Sequence, residues 1–309
     1  MDFLRTTLDG SQSSASELSS VESESEDPLV QLAKEVKQQP FTTRTSLQKV
    51  LEHRHRALYQ DQTRDQYLVF TSVPPAQYSK LSDERLRISK FCRFSLNTET
   101  GIVIVKVTAN PAHELAIGAF DSLVFLELLV MNVDDETLPC GSATVTVGNW
   151  QKEANSSCCP TGTDVRLSFV VEVGLSESAR QLALDARGWL ETDSSSVKLV
   201  VTITIHQDNP TIILHRWELL PRRSGVVTRS APLLARRTAF LKLFRTNNTT
   251  SIAGESYMNG TTTNITQLTL PFDKILNRPP HRPLERDLVI PEQKLRHFAE
   301  NIWRVQGLL

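Results

Sequence analysis

The chain has 309 residues, 39% hydrophobic and 22% charged, with a formal net charge of −1. That length can bury a sizeable core, and the composition excludes fibrous, collagenous or wholly disordered classes. The longest apolar run, Leu123 to Met131, is interrupted by Glu127 and is too short to cross a bilayer, so no membrane partner is expected.

The charge is unevenly placed. Residues 1–30 hold seven acids and one base, whereas residues 180–245 hold eleven Arg or Lys against five Asp or Glu. A basic body with an acidic tail suits an anionic partner such as nucleic acid, and a solvated surface is the plainer alternative. The start, Met1-Asp-Phe-Leu-Arg-Thr-Thr-Leu-Asp9, lacks a basic region followed by an apolar stretch, so no secretory signal is expected. Cys92, Cys140, Cys158 and Cys159 contain no Cys-x-x-Cys pair, which argues against zinc and suits a reducing compartment. An intracellular protein, cytoplasmic or nuclear, is the expectation.

In chain order, residues 1–27 are rich in Ser and acids and read as a disordered tail. Leu29–Val36 and Thr43–Tyr59 read as short helices, the second with Leu47, Val50, Leu51 and Leu58 near one face and Thr45-Ser-Leu-Gln48 as a capping box. His53-Arg-His-Arg56 on that helix reads as a solvated basic face. Tyr67–Val73 is a strand stopped by Pro74-Pro75, and Leu81–Phe91 is helical or irregular. Phe91–Leu96 and Gly101–Thr108 predict a hairpin. Ile102, Ile104 and Lys106 alternate with three valines, which predicts a strand covered on both faces with a single polar exit at Lys106.

Pro111–Met131 predicts a long helix, apolar nearly all round and so deeply buried. Gly141–Val147 reads as a strand, followed by a loop to Asp164. Strand Val165–Val173, helix Ser178–Glu191 and strand Val197–Ile205 then predict two parallel strands joined by a right-handed crossover. Thr211–Leu220 is a hairpin partner, Arg236–Arg245 and Ile265–Leu270 are further strands around a Thr/Asn-rich loop, and Pro271–Pro283 is irregular. Pro291–Gln306 closes the chain as a helix. The expected division is a tail at 1–27, a helical segment at 28–64 and one α/β domain at 65–306.

Glu172 is the most informative residue. It sits in the apolar run Phe169-Val-Val-Glu-Val-Gly174, where an unpaired carboxylate costs several kcal/mol (roughly, by transfer energies) unless a cation or metal meets it. Its side chain points with Ser168 and Val170, near the carboxyl end of a strand expected to be parallel, where α/β proteins place their sites. The alternative is a structural pair with Arg180 or Arg187, or a cap on the next helix. Glu114, in the first turn of the long helix, would make a cation site if it converged on Glu172; otherwise it serves the helix dipole. Lys198 could reach residue 172 only from an adjacent strand.

The order Ala112-His-Glu114, Lys152-Glu-Ala-Asn-Ser-Ser157 with Pro160, Val171-Glu-Val-Gly-Leu-Ser-Glu-Ser178 and Leu184-Asp-Ala-Arg-Gly-Trp-Leu190 resembles a widespread group of uncharacterised fungal proteins. Leu270-Pro-Phe-Asp273, Asn277-Arg-Pro-Pro280 and the helix holding Ile302-Trp303 carry the same resemblance, which covers residues 65–306. Through its central motifs that group is similar to the putative restriction-endonuclease branch of the PD-(D/E)XK nucleases. The resemblance implies an α/β (α+β) restriction-endonuclease-like core, a mixed β-sheet flanked by helices. It further implies Mg²⁺ or Mn²⁺ on Glu114, on the residue at 155 and on Glu172, with Glu172 and a migrated lysine, Lys198, as the catalytic pair. The motif's aspartate is Asn155 here, a poorer ligand for a hard cation, and its lysine position is Gly174. Arg180 could supply a cation but not a general base. The expectation is therefore a nuclease-like fold with impaired or absent cleavage, acting as a binding or scaffold protein. A Mg²⁺-dependent nuclease acting on DNA is the alternative.

Overall fold

A computed structural model describes residues 26–60, 62–63, 65–77, 91–108, 111–162, 166–221, 233–258 and 260–309. The segments 1–25 and 78–90, for which a tail and a helical or irregular stretch are expected, lie outside the described residues.

The chain forms mixed sheets flanked by helices. The first sheet has six strands: β1 (Gln38–Pro40), β2 (Tyr67–Thr71), β3 (Cys92–Asn97), β4 (Val103–Val107), β6 (Thr144–Val147) and β7 (Trp150–Glu153), in the order β1-β2-β4-β3-β7-β6. The second has eight: β5 (Thr137–Pro139), β8 (Ser156–Pro160), β9 (Phe169–Leu175), β10 (Leu199–Ile205), β11 (Thr211–Pro221), β12 (Leu233–Thr246), β13 (Thr249–Met258) and β14 (Thr261–Ile265), in the order β14-β13-β12-β11-β10-β9-β8-β5. A small third sheet pairs β15 (Leu268–Leu270) with β16 (Leu288–Ile290).

The helices are α1 (Pro28–Glu35), α2 (Arg44–Tyr59), α3 (Pro111–Val130), α4 (Ala179–Glu191), the short α5 (Phe272–Leu276) and α6 (Glu292–Gln306). Asp27, expected in the tail, caps α1 by accepting the amide of Leu29 and also holds the Trp150 indole at 3.0 Å. α2 is capped two residues earlier than the Thr45 box: Thr43 accepts the amide of Ser46. The residues before 65 do not form a purely helical segment, because β1 pairs in parallel with β2 and extends the six-stranded sheet.

The strand–helix–strand unit forms as expected. β9 and β10 are parallel, in a register that sets Glu172 beside Thr202, and α4 makes the crossover. All seven residues of each strand are buried, which is why both read as unbroken apolar runs. The odd residues Phe169, Val171 and Val173 enter a core with α3 and α6, and Val170 enters a second core with Ala183, Ala186 and Trp189 of α4.

Three expectations fail in informative ways. The stretch between Val147 and Asp164, expected as a loop, contains β7 and β8. The Thr/Asn-rich stretch after β12 is also strand, turned at Asn247-Asn248, both with positive φ. α3 is not covered all round: Phe125, Leu126, Leu129 and Val130 at its end are 45–63% exposed.

Candidate functional site

The polar centre of the molecule lies where the six-stranded sheet meets α4 and β9. In the six-stranded sheet Tyr67, Lys106 and Arg93 occupy one row across β2, β4 and β3. Lys106 lies on the same side of β4 as Ile104, the side that packs on α1, Trp150 and Leu184. Lys152 alternates with Trp150 on β7 and faces the same way. From α4, Asp185 and Trp189 stand one turn apart on a common face. Asn155 sits at the corner where the chain passes from β7 in one sheet to β8 in the other.

These side chains form one buried network. Lys106 Nζ donates to Glu172 Oε2 at 2.7 Å and to Asn155 Oδ1 at 2.7 Å. The other Glu172 oxygen accepts the Trp189 indole N–H at 2.9 Å. Lys152 Nζ pairs with Asp185 Oδ1 and lies 4.4 Å over the Trp189 ring. Asp185 Oδ2 accepts from Tyr67 at 3.4 Å and lies 4.0 Å from Lys106. Two ammonium groups thus face two carboxylates, and every member is at most 5% exposed. Burial, then the neighbouring Asp185, drives the Tyr67 phenol well above its ordinary value, so it stays a neutral donor.

The sequence-predicted residues separate in this geometry. Glu172 is at the centre, but its partner is Lys106; Arg180 pairs instead with Glu35, and Arg187 with Glu191. Asn155 is also at the centre. Its Oδ1 accepts from Lys106 and from the amide of Val173 at 2.9 Å, which fixes the amide's orientation and leaves Nδ2 without a partner among the described residues.

Glu114 does not join them. Its exposed carboxylate lies 3.3 Å from His113 Nδ1, a contact that holds the carboxyl below its usual range. The buried His113 ring is 3.0 Å from the carbonyl oxygen of Val173. α3 packs on the odd-residue face of β9, opposite to Glu172.

Lys198 is exposed, and its neighbour strand meets Glu172 at Thr202. Four strand residues separate the two, about 13 Å along β10. Gly174 is tightly packed: a Cβ there would lie 3.2 Å from Leu182 and 3.3 Å from Gln66 Oε1. Gln66 is committed to that place, since it accepts the amide of Leu175 and donates to the carbonyl of Val107.

Tyr67, Lys106, Lys152, Asp185 and Trp189 are members to which the motif reading gave no role. Lys106 carried a signal, as the one polar residue in a strand covered on both faces. The Lys152–Asp185 pair carried none, because the partners are 33 residues apart and belong to different layers.

This arrangement does not fit a Mg²⁺ site. Such an ion needs several free oxygen ligands, and here both Glu172 oxygens and Asn155 Oδ1 already accept hydrogen bonds. Among the described residues, no group of three or more His, Cys, Asp or Glu could hold a metal ion. Among them also, no helix is long and apolar enough to cross a membrane. No family model, curated protein or solved structure matches this chain.

Proposed function

We propose that this chain is a non-catalytic binding or scaffold protein on a restriction-endonuclease-like frame, in which the Glu172 network is a structural tie. The observation that carries this reading is the engagement of both Glu172 oxygens, one on Lys106 and the other on Trp189, at 1% exposure. A buried pair held in this way is expensive to open, since separating the partners leaves an uncompensated charge worth about 3–5 kcal/mol. Asn155 supports the same reading, because a neutral amide beside Lys106 keeps the network's charge balanced without any metal.

The alternative, a Mg²⁺-dependent nuclease acting on DNA, is favoured by one observation. One lysine lies within hydrogen-bond distance of both a carboxylate and an amide oxygen, although it comes from β4. The basic stretch 180–245 would then face the nucleic acid. Incubation of the full chain with plasmid and single-stranded DNA in Mg²⁺ or Mn²⁺ decides between them. The first reading expects no cleavage. Metal-dependent cleavage that disappears in a folded Glu172→Gln variant would establish the second.

A further inference from the structure

On the opposite face of the eight-stranded sheet from Glu172 lies a cavity of about 440 Å³, walled by β11, β12, β13 and β15. Arg216 and Arg236 line it against two carboxylates, Glu218 and Asp287, while Arg237 borders it from β12 with its guanidinium turned to the other face. Most of these charges are already engaged. Arg216 Nε lies 3.0 Å from Glu218 Oε1 and donates to the Thr238 hydroxyl at 2.8 Å, and Arg216 also donates to the carbonyl of Thr269. Glu218 accepts a second bond from Thr238 at 2.6 Å. Asp287 accepts the amide of Phe272 at 3.0 Å. Arg237 carries its guanidinium over the Trp217 ring at 4.9 Å.

Arg236 differs from the others. It is only 8% exposed, yet its Nε has no hydrogen-bond partner among the described residues. Glu218 is its direct cross-strand neighbour, with Oε1 engaged by Arg216 and Thr238. A buried guanidinium N–H without a partner is costly, and an arriving oxyanion would offset that cost with a planar, two-pronged contact. Arg216 and Glu218 pair with each other, so Arg236 offers a single positive charge, which suits a singly charged anion better than a dianion. Met258, Leu220 and Pro271 supply an apolar remainder, the usual composition of a small-ligand site.

We infer that this cavity binds a small organic carboxylate, whose head pairs with Arg236 and whose apolar body lies against Leu220, Met258 and Pro271. The inference names a ligand class for a binding protein but uses no property of the Glu172 network, so either can fail alone.

Phenylbutyrate, with phenylbutanol as its uncharged counterpart, tests it on the full chain by calorimetry and thermal unfolding. Phenylbutyrate is expected to bind and raise Tm, the alcohol to bind about tenfold or more weakly, and Arg236→Met to lose about tenfold or more of the carboxylate affinity. Arg236→Lys keeps the charge but not the fork, and should fall between. Equal binding of acid and alcohol, or no binding of phenylbutyrate by the folded chain, overturns the site. So does undiminished affinity in Arg236→Met or, should that variant not fold, in Arg236→Lys.

Discussion

Two buried cations show what a charge inside this protein can mean. Lys106 lies between the sheets with Glu172 and Asn155 in hydrogen-bond contact, in a network whose charges balance. Arg236 lies against a cavity, its Nε without a partner among the described residues, while its cross-strand neighbour Glu218 bonds Arg216 and Thr238 through Oε1. The first arrangement resists entry of a ligand and ties elements together. The second lacks a hydrogen-bond partner that a ligand would bring. Burial alone does not separate these cases; the completeness of the partners does.

The largest expected effect breaks the balanced side of this comparison. Lys106→Met should cost about 3–5 kcal/mol in urea unfolding, because it strands Glu172 in a dry site. Adding Glu172→Met should recover most of that loss, since an apolar pair of similar volume can replace a buried ion pair. Equal and additive losses in the two single variants and the double variant would show that the pair does not act as a unit.

Next in size is Gly174→Lys, the residue that the nuclease motif would place there. It should cost about 1–3 kcal/mol by overpacking against Leu182 and Gln66. A neutral outcome would mean that the position can still accept the motif lysine.

A smaller effect concerns His113. Burial holds this imidazole neutral, with its pKa below the ordinary 6.5. As the pH falls below that value, the unfolded chain takes up a proton that the folded chain resists, so stability is full above it and declines on acidification. Glu114, whose carboxyl is held low, adds a loss of the same sign at more acid pH. His113→Gln should flatten the first part of the decline, and an unchanged slope would count against a neutral buried imidazole.

The smallest effect is expected for Arg236→Met without ligand. Its stability should be unchanged or slightly higher, in contrast to Lys106→Met, because no complete pair is broken. A loss comparable to that of Lys106→Met would erase the distinction between the two cations.

How much of this was legible in the sequence depended on how each element is buried. The β9–α4–β10 unit was readable because its parallel strands are covered on both faces and the helix between them is amphipathic. β14 was not, because all its residues are exposed or half-buried and Thr-Thr-Thr-Asn carries no apolar alternation. β8, read as loop, is a run of Ser and Cys whose burial comes only from neighbours in the sheet.

At the site, Glu172 announced itself by its cost, and Lys106 by its isolation in an apolar strand. What the sequence could not show was that these two meet across the sheets, 66 residues apart. Lys198 looked suitable because its strand neighbours β9, but the parallel register sets Thr202, not Lys198, beside Glu172. Glu114 was undone by a similar matter of facing, since its helix packs on the other side of the strand.

The most direct test of the central claim is thermal unfolding of the full chain under Mn²⁺ titration, beside Glu172→Gln. If Lys106 and Trp189 hold both oxygens of the carboxylate, Mn²⁺ at millimolar concentration leaves the Tm of the natural chain where it was. A rise in Tm with Mn²⁺ that Glu172→Gln abolishes would contradict the account, because it would show Glu172 free to ligate a metal ion.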